Sequence, residues 1–72
     1  MTKLSDNLFQ LRKLHNLTQE QVAAELGVSR QAVAKWETGE TTPDLSNCLA
    51  LAQFYDVSLD DLVRFDSTQT GL

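Results

Sequence analysis

The sequence predicts an all-α domain of five short helices around one core, and three observations carry that expectation. Leucines recur at helical spacing near the N-terminus, helix starts and stops follow one another at short intervals, and no stretch alternates apolar with polar residues as a strand does. At 72 residues the chain holds a single core, and so small a core without disulfides or metals relies on compact helix packing or on oligomerisation.

The first helix is expected over residues 4–15, where Leu4, Leu8, Leu11 and Leu14 fall on one apolar stripe. Asn16 is its expected stop. In Thr18-Gln19-Glu20-Gln21 the Thr hydroxyl can accept from a first-turn N–H while Gln21 reaches back to the Thr amide, so a second helix begins near Gln19. It turns Val22, Ala23 and Leu26 inward and ends at Gly27, the residue that most readily takes a left-handed conformation.

Ser29 then caps a third helix, expected over residues 30–37, with Val28 placed as a hydrophobic staple. Val33 and Trp36 are spaced to face inward, which leaves Arg30, Gln31 and Lys35 outside. Residues 37–41 are expected to form a loop. Thr42-Pro43-Asp44 predicts a fourth helix over residues 43–55, with Thr42 as the cap and Pro43 in the first turn, where no N–H is needed. Leu45, Cys48, Leu49, Ala52 and Tyr55 form its expected core stripe. Asp56-Val57 breaks it, and Ser58 caps a short fifth helix carrying Leu59, Leu62 and Val63. The domain is expected over residues 1–65, with residues 66–72 as a flexible polar tail or linker.

Composition narrows the function classes. Cys48 and His15 are single residues of their kinds, so neither an internal disulfide nor a metal cluster is expected, and the reducing cytoplasm is the expected setting. No apolar run is long enough to span a membrane, and MTKLSDNLFQ lacks the layout of a signal peptide. The net charge of -4 weighs against a nucleic-acid partner. Its distribution weakens that objection: residues 1–39 hold five cations against four carboxylates, whereas residues 40–72 hold Arg64 against six carboxylates. An asymmetric molecule can turn a locally positive face to DNA and point its acidic end away.

Residues 18–39, TQEQVAAELGVSRQAVAKWETG, are the informative segment. Two helices joined by a tight, Gly-containing turn form an architecture whose second member can enter the DNA major groove. Ala23 lies where the two helices approach most closely, and Val33 fills the gap between them.

These residues resemble the Cro and C1 repressor family of helix-turn-helix proteins, also called the XRE family. The resemblance runs over about residues 4–64: the T-Q start, the A-x-x-x-G turn, R-Q-A-V-A-K-W-E-x-G and the late D-V-S-L-D-D-L. It implies a compact lambda-repressor-like fold in which the second and third helices form the helix-turn-helix. It further implies that Gln19 grips a phosphate, that Ser29 caps the third helix and touches the backbone, and that Arg30, Gln31 and Lys35 face base edges. Main-chain N–H groups near Thr38 and Gly39 would meet the other side of the groove. Proteins of this kind often pair an arginine of the first helix with the glutamate closing the third, and Arg12 and Glu37 stand at those positions.

Side-chain chemistry agrees with the base-reading roles. Arg and Lys donate to guanine, Gln bonds bidentately to adenine, and Ala32 offers a methyl to thymine. The bland alternative is that Arg30, Gln31 and Lys35 are only the solvated face of an amphipathic helix. Trp36 reads as a core anchor rather than a stacking platform, Cys48 as a small core residue, His15 as solvated or capping, and Asp60 and Asp61 as acids favoured by a helix start.

The expected function is that of a transcriptional regulator, a repressor binding a palindromic double-stranded DNA operator as a homodimer, with no cofactor, small-molecule ligand, membrane partner or enzymatic activity. Leu62, Val63 and Phe65 are candidates for the dimer seam, although core packing accounts equally well for the first two. A protein-interaction module, such as an antitoxin or adaptor on the same fold, is the alternative that the acidity favours. The polar ending is compatible with a complete short regulator and with the first domain of a longer one.

Overall fold

The computed structural model describes residues 3–64, and five helices account for its regular structure: α1 (Lys3–Leu14), α2 (Gln19–Leu26), α3 (Arg30–Thr38), α4 (Leu45–Tyr55) and α5 (Leu59–Arg64). The described residues contain no strand. No helix among them is long and apolar enough to cross a membrane. The expected tail over residues 66–72, and Phe65 before it, lie outside the described residues.

The helix ends follow from local chemistry. Thr18 Oγ1 accepts the Gln21 N–H at 3.0 Å while Gln21 Oε1 accepts the Thr18 N–H at 2.8 Å, which closes the capping box at the start of α2. Asn16, at φ 56°, turns the chain out of α1, and Asp56, at φ 58°, does the same after α4. Both are residues whose short polar side chains tolerate the left-handed region. Ser58 Oγ accepts the Asp61 N–H at 2.9 Å and starts α5.

The start of α4 departs from the expectation. Asp44, not Thr42, is the cap: its carboxylate accepts the Asn47 N–H at 2.8 Å, and the helix begins at Leu45 rather than Pro43. A carboxylate at the cap also meets the positive end of the helix dipole, an advantage that the Thr42 hydroxyl lacks. Pro43 precedes the helix, buried, and its carbonyl accepts the Cys48 thiol at 3.5 Å. At the other loop boundary Glu37 and Thr38 remain helical, and Gly39 at φ 83° ends α3.

Leu8, Val22, Ala23, Val33, Trp36, Leu51, Ala52, Tyr55 and Leu62 form the core. Helix α3 packs against both α2 and α1, while α5 closes the bundle against α1 and α4. Two expected stripes rotate. On α4, Leu45 and Leu49 are 67% and 45% exposed, and Leu51, absent from the expected stripe, is 1% exposed. On α1, Leu14 is 75% exposed, and Arg12 takes an inward position instead.

Candidate nucleic-acid interface

The turn between α2 and α3 is built by three residues. Gly27, at φ 74° and ψ 31°, donates its N–H to Ala23 and Ala24, and Val28 donates to the Ala23 carbonyl at 3.0 Å. A Cβ on Gly27 would meet nothing within 4 Å, so the turn requires glycine for its backbone conformation and not for space. Ser29 Oγ accepts the Ala32 N–H at 3.1 Å, which leaves its own O–H free to donate outward.

Helix α3 is thereby presented with Val33 and Trp36 in the core and Arg30, Gln31 and Lys35 exposed. Ala32 is half-buried against the core, so its methyl is partly spent on packing. Lys35 Nζ lies 4.0 Å from a Glu40 carboxylate oxygen, a contact between two exposed groups that contributes little. At the far end the Thr38 hydroxyl donates to the Lys35 carbonyl at 3.1 Å. The Gly39 N–H is given to the Lys35 and Trp36 carbonyls, and the Glu40 and Thr41 N–H groups also go to Lys35. The backbone donors expected to face outward there are therefore engaged within the turn.

Behind this face lies a connected polar network. The Arg12 guanidinium spans Glu37, donating from Nε to Oε2 at 2.7 Å and from Nη2 to Oε1 at 3.0 Å. Its third nitrogen, Nη1, donates to the Leu17 carbonyl at 2.8 Å, so the loop between α1 and α2 is held by the same side chain. Its hydrogen bond to Glu37 holds the Arg12 guanidinium protonated above its ordinary range, against the opposing cost of burial. Burial also pushes the neighbouring Tyr55 hydroxyl up to about 12, with the Glu37 charge adding to the effect.

Gln19 extends the network to the surface. Its amide nitrogen donates to Glu37 Oε1 at 3.2 Å, and its amide oxygen accepts from Arg30 Nη1 at 3.4 Å. The first residue of α2 is thus linked to the first residue of α3. Nothing in the local sequence announces this link, because the partners are separated by eleven and eighteen positions.

Two sequence-predicted positions on α5, Leu62 and Val63, lie apart from this face. Leu62 is 1% exposed and belongs to the core, Val63 is half-buried against it, and Phe65 lies outside the described residues.

Residues 8–62 match the sequence model of the family described as Helix-turn-helix. The chain is 41% identical over 61 residues to the HTH-type transcriptional activator BcrR of Enterococcus faecalis, covering 85% of this chain and 30% of BcrR. It therefore spans less than a third of that relative. Over 66 residues it is 36% identical to the uncharacterized HTH-type transcriptional regulator MJ0272 of Methanocaldococcus jannaschii, covering 92% of this chain and 100% of that protein. Its fold is similar to that of the phage P22 c2 repressor crystallised with a synthetic operator, at a TM-score of 0.84 and 30% identity over 92% of this chain and 100% of the other. With that fold similarity and a family match over most of its length, the chain belongs to the Helix-turn-helix family of Cro/C1-type, or XRE, transcriptional regulators.

Proposed function

We propose that this domain binds double-stranded DNA in a sequence-specific manner, laying α3 in the major groove, and so regulates transcription. The observation that carries this reading is the exposure of Arg30, Gln31 and Lys35 together on one face of α3, with Gln19 hydrogen-bonded to Arg30 at its edge. Arg30 and Lys35 are suited to guanine and Gln31 to adenine, with the Ala32 methyl beside them for thymine. Gln19 and the Ser29 hydroxyl would meet the flanking phosphates and position the helix, whereas the donors at Thr38 and Gly39 are spent within their own turn. The similarity to a repressor solved with operator DNA supports the same docking.

A single copy offers few cations to phosphate, so the proposed unit is a homodimer on a palindromic operator, with half-sites about one helical turn apart. Repression would follow from occupying a promoter in the cytoplasm, without a cofactor or a catalytic step. The net charge of -4 favours one other reading, a protein-interaction module.

Selection of bound sequences from a random duplex pool at about 0.1 M salt tests the proposal. Enrichment of a palindrome with half-sites one turn apart is the expected result. A pool that stays random, while a protein partner still binds after Arg30→Ala and Gln31→Ala, would replace this reading with the second.

A further inference from the structure

A groove of about 480 Å³ opens where the end of α1 meets the start of α2, and Lys13, Gln19, Glu20, Arg30 and the edge of Arg12 line it. Gln19 and Arg30 also border the α3 face, so the groove continues the proposed DNA surface rather than lying apart from it. The Arg12 charge is balanced by Glu37. Lys13 is different: no carboxylate of the described residues pairs with it.

Phe9, an exposed aromatic one helical turn before Lys13, explains where that ammonium rests. Lys13 Nζ lies 5.8 Å from the centre of the Phe9 ring, and the Arg12 guanidinium carbon lies 5.5 Å from it. An aromatic face attracts cations electrostatically without neutralising their charge. The ring thus steadies Lys13 beside the groove and leaves its full charge available.

We infer that this groove seats the sugar–phosphate backbone of the bound duplex, and that Lys13 is a phosphate-contacting residue positioned by Phe9. The inference rests on the DNA-binding reading and deepens it, by extending the contacted backbone past Gln19 toward α1. Glu20 lines the same groove, and its carboxylate opposes a phosphate there. The two residues should therefore act with opposite sign.

Affinity for the selected duplex, measured over a range of salt for the wild type, Lys13→Gln and Glu20→Gln, tests the inference. Each lost phosphate contact reduces the slope of log K against log salt by about 0.9, which amounts to about eightfold in affinity at 0.1 M salt. Lys13→Gln is expected to show that loss for every copy bound, with the preferred bases unchanged, and Glu20→Gln is expected to bind more tightly than the wild type. Lys13→Gln with the wild-type slope and affinity would overturn the inference while leaving the DNA-binding reading intact. A wild type that selects no duplex would remove both.

Discussion

Both carboxylate oxygens of Glu37 accept from the Arg12 guanidinium, at 2.7 and 3.0 Å, and so tie α1 to the last turn of α3. Glu37 Oε1 also receives the Gln19 amide, which in turn holds Arg30. One buried carboxylate thus sets the orientation of α3 relative to both preceding helices. Planar two-point pairing suits this task, because it fixes an angle as well as a distance.

Breaking that pair from either side leaves an uncompensated buried charge. Glu37→Ala and Arg12→Ala are each expected to cost about 3 kcal/mol in urea or guanidinium unfolding, and the double variant is expected to cost clearly less than their sum. Additive losses would mean that the two side chains do not support each other.

The Tyr55 hydroxyl gives an alkaline signature. Its folded-state value of about 12 lies above the ordinary 10, so the folded state holds this proton more tightly. The stability linked to it is complete below about pH 10 and is lost as the pH rises towards 12. Thermal melts across that window should fall for the wild type and fall less for Tyr55→Phe. Equal slopes for the two proteins would contradict the assignment.

The rotated stripe of α4 makes a contrast between leucines. Leu51→Ala removes a fully buried side chain and should cost about 3 kcal/mol, whereas Leu45→Ala, at an exposed position, should change stability by under about 0.5 kcal/mol. Unfolding midpoints that rank the two in the opposite order would restore the expected stripe.

The cap of α4 separates two neighbours in the same way. Asp44→Ala should lose about 1 kcal/mol through its bond to the Asn47 N–H, and Thr42→Ala should be close to neutral. The reverse pattern in chemical denaturation would place the helix start two residues earlier.

Local chemistry was legible in the sequence at most helix ends, where both partners lie within one turn; the Asp44 cap of α4 is the exception, because Thr42 two residues earlier offers the same kind of oxygen. The Thr18–Gln21 box, the Gly27 turn and the Ser29 and Ser58 caps each involve groups three or four positions apart, and a reader of the sequence meets both ends at once. The five-helix fold follows from these punctuation marks. Facing was harder to read. Helix α4 carries Leu45 and Leu49 on one side and Leu51 on another, and only the packing of α2 and α5 against it decides that Leu51 goes inside. Leu14 was misplaced for the same reason, since the last turn of α1 follows Arg12 towards Glu37. The exposed trio on α3 was readable from its spacing to Val33 and Trp36, but its tether was not. Arg30, Gln19 and Glu37 converge through the fold, and no periodicity encodes a contact between the starts of two helices.

Base reading from α3 by Arg30 and Gln31 is the core of the proposed function. It is tested most directly by comparing the wild type with the Arg30→Ala, Gln31→Ala double variant on the selected duplex and on a scrambled one, at a single salt concentration. With each base contact worth about 1 to 3 kcal/mol, the variant should lose at least thirtyfold or so on the selected duplex, approach its affinity for the scrambled one, and melt at the wild-type temperature. A correctly folded variant that still prefers the selected duplex to the wild-type extent would show that Arg30 and Gln31 do not read its bases.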